Sequence, residues 1–130
     1  MERPNFDTCT LQEAADYAVA KIVQQGERCG YRDINNRFKC LYRQKEKRCV
    51  IGWMLDEENP VFMRQYAIYD VFLGDSEELP QIITEDNISF FVELQKFHDS
   101  EPNKRLDVLE SMKSWIDITP PQYKAWVNMT

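Results

Sequence analysis

The stretch that most constrains this chain is Thr10-Leu11-Gln12-Glu13 and the fifteen residues it opens. The spacing is that of a capping box: the threonine hydroxyl accepts from the amide of the glutamate, and the glutamate side chain reaches back to the threonine amide. Behind it, Leu11, Ala14, Ala15, Ala18, Val19, Ile22 and Val23 recur at steps of three and four. That places them on one face of a helix, which has to be buried. Gly26 follows as a natural C-cap, because glycine enters the left-handed conformation at little cost. An amphipathic helix over residues 11–25 is not stable by itself in water, so the rest of the chain must cover its apolar face.

The later segments read as further helices and one β element. Residues 27–37 are polar and irregular and read as a loop. Phe38-Lys39-Cys40-Leu41-Tyr42-Arg43 alternates loosely, and Arg48-Cys49-Val50-Ile51 follows the charged break Gln44-Lys45-Glu46-Lys47. The pattern predicts a hairpin near residues 38–52, unless the second run passes quickly into a helix at Gly52-Trp53-Met54-Leu55. After a turn at Asp56-Glu57-Glu58-Asn59-Pro60, residues 61–73 read as a helix with Val61, Phe62, Tyr66, Ile68, Tyr69 and Phe72 apolar, ended by Gly74. A helix opened by Thr84-Glu85-Asp86 carries Ile88, Phe91, Val92 and Gln95 as one stripe, and ends at His98-Asp99-Ser100. Another, over 104–118, puts Leu106, Leu109, Met112 and Ile116 on one face and is stopped by Pro120-Pro121. Tyr123, Trp126 and Val127 are expected to pack back on the body. The expected fold class is α+β, mainly helical: amphipathic helices packed around a short β-hairpin, in a single compact domain over residues 1–130.

Charge is unevenly spread. Lys21 to Val50 holds nine basic residues against three acidic ones, although the whole chain carries a net charge of −6. Residues 56–110 hold fourteen acids against four basic residues. Two opposed contact surfaces follow. The acidic candidate is Asp56, Glu57, Glu58, Asp75, Glu77 and Glu78, which would steer onto a basic partner. The basic candidate is the turn at Arg43, Lys45, Lys47 and Arg48, which with Tyr42 and Phe38 beside it would grip a phosphate backbone. The acidic total opposes general nucleic-acid binding, and the plainest expectation is that the basic turn pairs with the protein's own acids.

The cysteines are Cys9, Cys29, Cys40 and Cys49, and the single histidine is His98. No Cys-x-x-Cys pair occurs, so neither a structural zinc site nor any other metal or cofactor is expected. Small buried thiols are the simplest reading. The enzyme alternative joins Cys40 or Cys49 to His98 and Asp99, since a thiolate needs a base and the base an orienting group. Adjacent helical residues point about 100° apart, so Asp99 is poorly placed to orient His98. The expected role of His98 is to cap the end of its helix. The N-terminus lacks the apolar stretch of a signal peptide, and no segment approaches the length of a membrane span. A cytoplasmic protein without membrane contact is expected, its oligomeric state open.

Cys40-Leu41-Tyr42-Arg43, followed by Arg48-Cys49-Val50-Ile51-Gly52-Trp53-Met54-Leu55, resembles a family of small phage and bacterial proteins that carry a C-x-Y-R … K/R-C-A-V-G-x-L-I-P-D segment. The family's later L-x-x-L-Q-x-x-H-D helix is matched by Val92 to Asp99, and its final Trp-bearing helix by Trp115. The likeness spans most of residues 11–118. The chain departs from it at Ile51, at Trp53 and at Glu57-Glu58-Asn59. The resemblance implies a phage or mobile-element origin and no defined activity. The function expected is an accessory protein, of inhibitor or anti-defence type, that binds a host factor or defence-system protein stoichiometrically. The alternatives are a nucleic-acid-binding module using the turn at 43–48, and a cysteine-dependent enzyme using Cys49 and His98.

Overall fold

In the computed structural model, which describes residues 1–64 and 67–130, helix α1 runs over Leu11–Gln25. Its capping box is formed, with Thr10 Oγ1 accepting from the Glu13 amide at 3.1 Å and Glu13 Oε1 accepting from the Thr10 amide at 3.1 Å. Gly26 closes it at φ 88°. Ala14, Ala15, Ala18, Val19 and Ile22 are buried, and Tyr17 joins them. The three alanines leave room for α5 (Pro121–Val127) to lie close against α1. Polar bonds fix that contact: Tyr123 Oη donates to Asp16 Oδ1 at 2.8 Å, and Gln12 exchanges two bonds with the Asp117 backbone. Tyr123 and Trp126 are fully buried, so the C-terminal segment does pack back.

The β structure differs from the expected single hairpin. The segment expected to be a loop contributes a strand, β1 (Gly30–Arg32), which pairs antiparallel with β2 (Phe38–Cys40) in the register Gly30↔Cys40, Tyr31↔Lys39, Arg32↔Phe38. The link between them is closed by Asp33, whose Oδ1 accepts from the amides of Asn35 at 2.8 Å and Arg37 at 2.9 Å. Gly30 is required there, because a Cβ would collide with the Lys39 carbonyl. A second, smaller hairpin joins β3 (Arg43–Gln44) to β4 (Lys47–Arg48), with Lys45 at φ 58° in its turn. The run after it becomes a 3-10 turn at Gly52–Met54, with Gly52 pressed against the Tyr42 carbonyl.

The helix expected over 61–73 is broken in two. Asn59 accepts from the Val61 amide at 2.8 Å and starts a 3-10 turn, Pro60–Met63. Arg64 is extended, and α2 begins only at Ile68 and ends at Asp75. Tyr66 lies outside the described residues. α3 spans Ile88–Asp99, four residues later than its predicted opening, because Asn87 Oδ1 takes the Thr84 amide at 2.7 Å and closes a turn first. α4 is short, Arg105–Ser111, and of the expected face Leu109, Met112 and Ile116 are buried while Leu106, at its edge, is not. Leu106 is 53% exposed, whereas Arg105 is 3% exposed. The class is therefore α+β and mainly helical. Its buried side chains form one cluster, centred on α1, α3, α5 and the segment Cys49–Leu55. Among the described residues no helix is long and apolar enough to cross a membrane.

Candidate functional site

Four places bring together the residues that could act. The first is a polar cluster at the end of α3. His98 is fully buried and lies flat against Trp126, with ring centroids 6.0 Å apart. Its Nε2 accepts from the Cys29 amide at 3.0 Å, and its Nδ1 lies 2.6 Å from Asp99 Oδ1. Nε2 therefore holds a lone pair, and the ring proton is assigned to Nδ1, donated to Asp99. This corrects the sequence argument twice. His98 does not serve as an exposed helix cap. Asp99 does orient it, because it is the last helical residue and its short side chain turns back to meet the ring Nδ1.

Gln95 completes the cluster. Its Nε2 donates to Asp99 Oδ1 at 3.0 Å and lies 2.7 Å from Cys40 Sγ, while its buried Oε1 has no partner among the described residues. Cys40, Gln95 and Asp99 line a cavity of about 380 Å³, walled by Tyr31, Phe38 and Tyr69. Single ligand atoms of Cys40, His98 and Asp99 lie within 4.8 Å of one another. A metal ion held by His98 Nδ1 would take the place of that nitrogen's proton and so break the Asp99 bond. It would also set the Nε2 proton of a neutral ring against the Cys29 amide, so two buried hydrogen bonds oppose it.

Two of the buried or half-buried thiols, Cys29 and Cys40, are pushed toward the protonated form. Burial and the neighbouring Cys49 push Cys29 up to about 12. The Cys40 thiol is raised far more, by its hydrogen bond with Cys49 and by burial. Cys49 is fully buried, and its Sγ accepts from the Gly52 amide at 3.4 Å. Attack needs a thiolate beside a free base. Both nitrogens of His98 are already engaged, so the pairing of Cys49 with His98 lacks a free acceptor for the thiol proton.

The second place is the basic turn, where the four expected residues separate. Arg43 Nη1 donates to the Glu57 carbonyl at 2.9 Å, pairs with its carboxylate at 3.7 Å and covers the Phe62 ring at 4.1 Å. Arg48 pairs with the same Glu57, reaches the carbonyls of Gly52 and Leu55, and stacks against Trp53 and Phe62. Lys47 pairs with Glu27 at 2.8 Å. Only Lys45, at the tip, makes no ion pair among the described residues. The turn therefore pairs with the protein's own acids.

The third place is an acidic groove of about 550 Å³, where Asp56, Glu77 and Glu78 meet Asp7. Glu57 faces away, toward Arg43 and Arg48. Asp75 and Glu78 hold Arg64 at 3.3 and 3.1 Å, and Asp56 sits 3.7 Å from Arg3. Among the described residues Glu58 and Glu77 make no ion pair. Of the six acids singled out by the sequence, three line one groove, and three of the six remain lightly paired or free.

The fourth place was not singled out from the sequence. Arg28, Arg32 and Arg105 surround Glu101 at the rim of a cavity of about 460 Å³. Arg28 and Arg32 belong to the basic segment, but Glu101 and Arg105 lie some seventy residues away, and no local pattern announces that they meet.

The comparisons with known proteins add no relative. No family model matches the chain, and no curated protein or solved structure matches it. The functional reading therefore rests on these four places and on the residues themselves.

Proposed function

We propose that this chain is a small phage or mobile-element accessory protein, an inhibitor or anti-defence type, that binds a basic host factor or defence-system protein through its acidic groove. The observation that carries the reading is how the two charged candidates are disposed. The guanidiniums of the basic turn are committed to Glu57 and to aromatic rings, while Asp56 and Glu77 stay exposed in the groove and Glu58, two residues from Asp56, is exposed outside its lining. Exposed charge of one sign steers a partner of the other sign. Both ring nitrogens of His98 are engaged, which favours action by contact over thiol chemistry at Cys49. The phage origin and the host partner rest on the resemblance at residues 40–55 and 92–99. On this reading the protein works in the host cytoplasm.

The test is a pull-down from nuclease-treated host lysate with the wild-type chain and with a variant carrying Asp56→Lys, Glu58→Lys and Glu77→Lys. The expected result is one basic protein, captured by the wild type and lost in the variant and at high salt. Loss of every partner after nuclease would return the nucleic-acid reading to the front. Equal capture by the variant would remove the groove from the account.

A further inference from the structure

Beyond that reading, and independently of it, we propose that Arg28, Arg32 and Arg105 form a binding site for the phosphate monoester of a small ligand, with the Glu101 carboxylate as its resident competitor. Arg32 Nη2 contacts Glu101 Oε1 at 2.7 Å, and Arg28 Nη2 lies 3.6 Å from Glu101 Oε2. The third guanidinium is the unusual one. Arg105 is 3% exposed and is anchored by backbone carbonyls alone: Nε to Ser100 at 3.2 Å, and Nη1 to Trp126 and to Met129 at 2.7 Å each. Its Nη2 makes no hydrogen bond and no ion pair among the described residues, and Arg105 lines the 460 Å³ cavity together with Arg28 and Arg32. The nearest carboxylate to act on its charge is Glu101, which Arg28 and Arg32 already engage, and a largely buried cation that shares its counter-ion gains from a further anion.

Charge decides which anion fits. Three guanidiniums face one carboxylate, so two positive charges are left unmatched. Glu27, on the same rim, is engaged by Lys47, and Thr130 makes no ion pair with the three arginines. A phosphate monoester carries a charge of about −2 at neutral pH and offers three acceptor oxygens. Planar guanidinium forks suit such oxygens. The arginines are pre-placed for this. Arg28 is held by the Asp99 carbonyl at 2.7 Å and lies over Phe38 at 4.1 Å, and Arg105 lies over Trp126 at 4.3 Å. The site already favours an anion, since Arg32, Arg28 and Arg105 hold the Glu101 carboxyl below its ordinary range. Tyr31 is 46% exposed and lines both this cavity and the one at Gln95, so the organic part of the ligand lies along its ring.

The experiment is a calorimetric or NMR titration of the full chain at low salt, with inorganic phosphate and with adenosine monophosphate as probes. The variants are Arg32→Gln and Glu101→Gln, both at positions exposed enough to leave the fold intact by circular dichroism. Saturable binding is expected, weakened about tenfold in Arg32→Gln by loss of one charged hydrogen bond, and tightened in Glu101→Gln by removal of the competitor. Tighter binding of the nucleotide, lost in Tyr31→Ala, would identify a nucleotide as the source of the phosphate; equal affinity for both probes would identify free phosphate. Absence of saturable binding, or binding that Arg32→Gln and Glu101→Gln both leave unchanged, would overturn the proposal.

Discussion

Two regions of this molecule gather arginines around a single glutamate, and they end in opposite electrostatic states. At the basic turn, Arg43 and Arg48 share Glu57, and both lie on Phe62. Their remaining donors reach the carbonyls of Gly52, Leu55 and Glu57. The turn is the densest basic stretch in the sequence, yet it offers a ligand little beyond Lys45. At the end of α3, Arg28 and Arg32 share Glu101, and Arg105 beside them, bound to backbone carbonyls, keeps a donor group unpartnered among the described residues at the same cavity. Local density of basic residues therefore says little about free positive charge. What counts is how many acceptors the fold delivers to the same spot.

The comparison can be broken most decisively at Arg105. Arg105→Ala removes three hydrogen bonds that tie α5 and its exit to the core, and it strips a guanidinium from Trp126. The expected cost is about 3 kcal/mol, because carbonyls next to a fully buried Trp126 lose their donor. Urea unfolding measures it. A cost near zero would mean that Arg105 is dispensable for folding and would separate its anion role from any structural one. Arg48→Ala tests the opposite region. It should cost about 2 kcal/mol in the same assay, from lost carbonyl bonds and ring contacts, while leaving phosphate affinity unchanged. A variant that lost phosphate binding without losing stability would reverse the contrast drawn here.

The smallest effect is expected at Glu101 and depends on pH. Its carboxyl is held below the ordinary range by Arg32 first and then by Arg28 and Arg105. A carboxyl lowered in the folded state stabilises above its unfolded value, about 4.3, and that stability is lost as the pH falls through the folded value. Since Glu101 is substantially exposed, the contribution is under about 1 kcal/mol. Glu101→Gln should therefore flatten the acid limb of the melting curve slightly between about pH 5 and pH 3. An acid limb identical to wild type would show that the cluster does not tune Glu101.

The legible parts of the sequence were those governed by neighbours a few residues apart. The capping box and apolar stripe of α1 were both readable, because helix hydrogen bonds and side-chain contacts repeat every three or four positions. Strand pairing was less legible. The 38–40 run pairs backward with 30–32 rather than forward, and only the turn chemistry of Asp33 favours that choice. The burial of Arg105 on α4 was also hidden. Leu106 fits the apolar stripe, but Arg105 goes inside because α5 brings two backbone carbonyls to meet it.

The candidate sites follow the same division. The charged residues of 43–48 and 56–78 stand out from composition, and so do the cysteines and the lone histidine. Which of them remain free was decided in three dimensions. Glu57 comes to Arg43 and Arg48, the Cys29 amide comes to His98, and Glu101 comes to Arg28 and Arg32 across about seventy residues of chain. The sequence by itself determined helix α1 with its caps, the core of α3, the mainly helical α+β class and the segregation of charge, because propensity and periodicity act locally. Only the tertiary structure decided which charges and which nitrogen lone pairs are still available, because hydrogen-bond partners are assigned by packing between segments that are far apart in the chain.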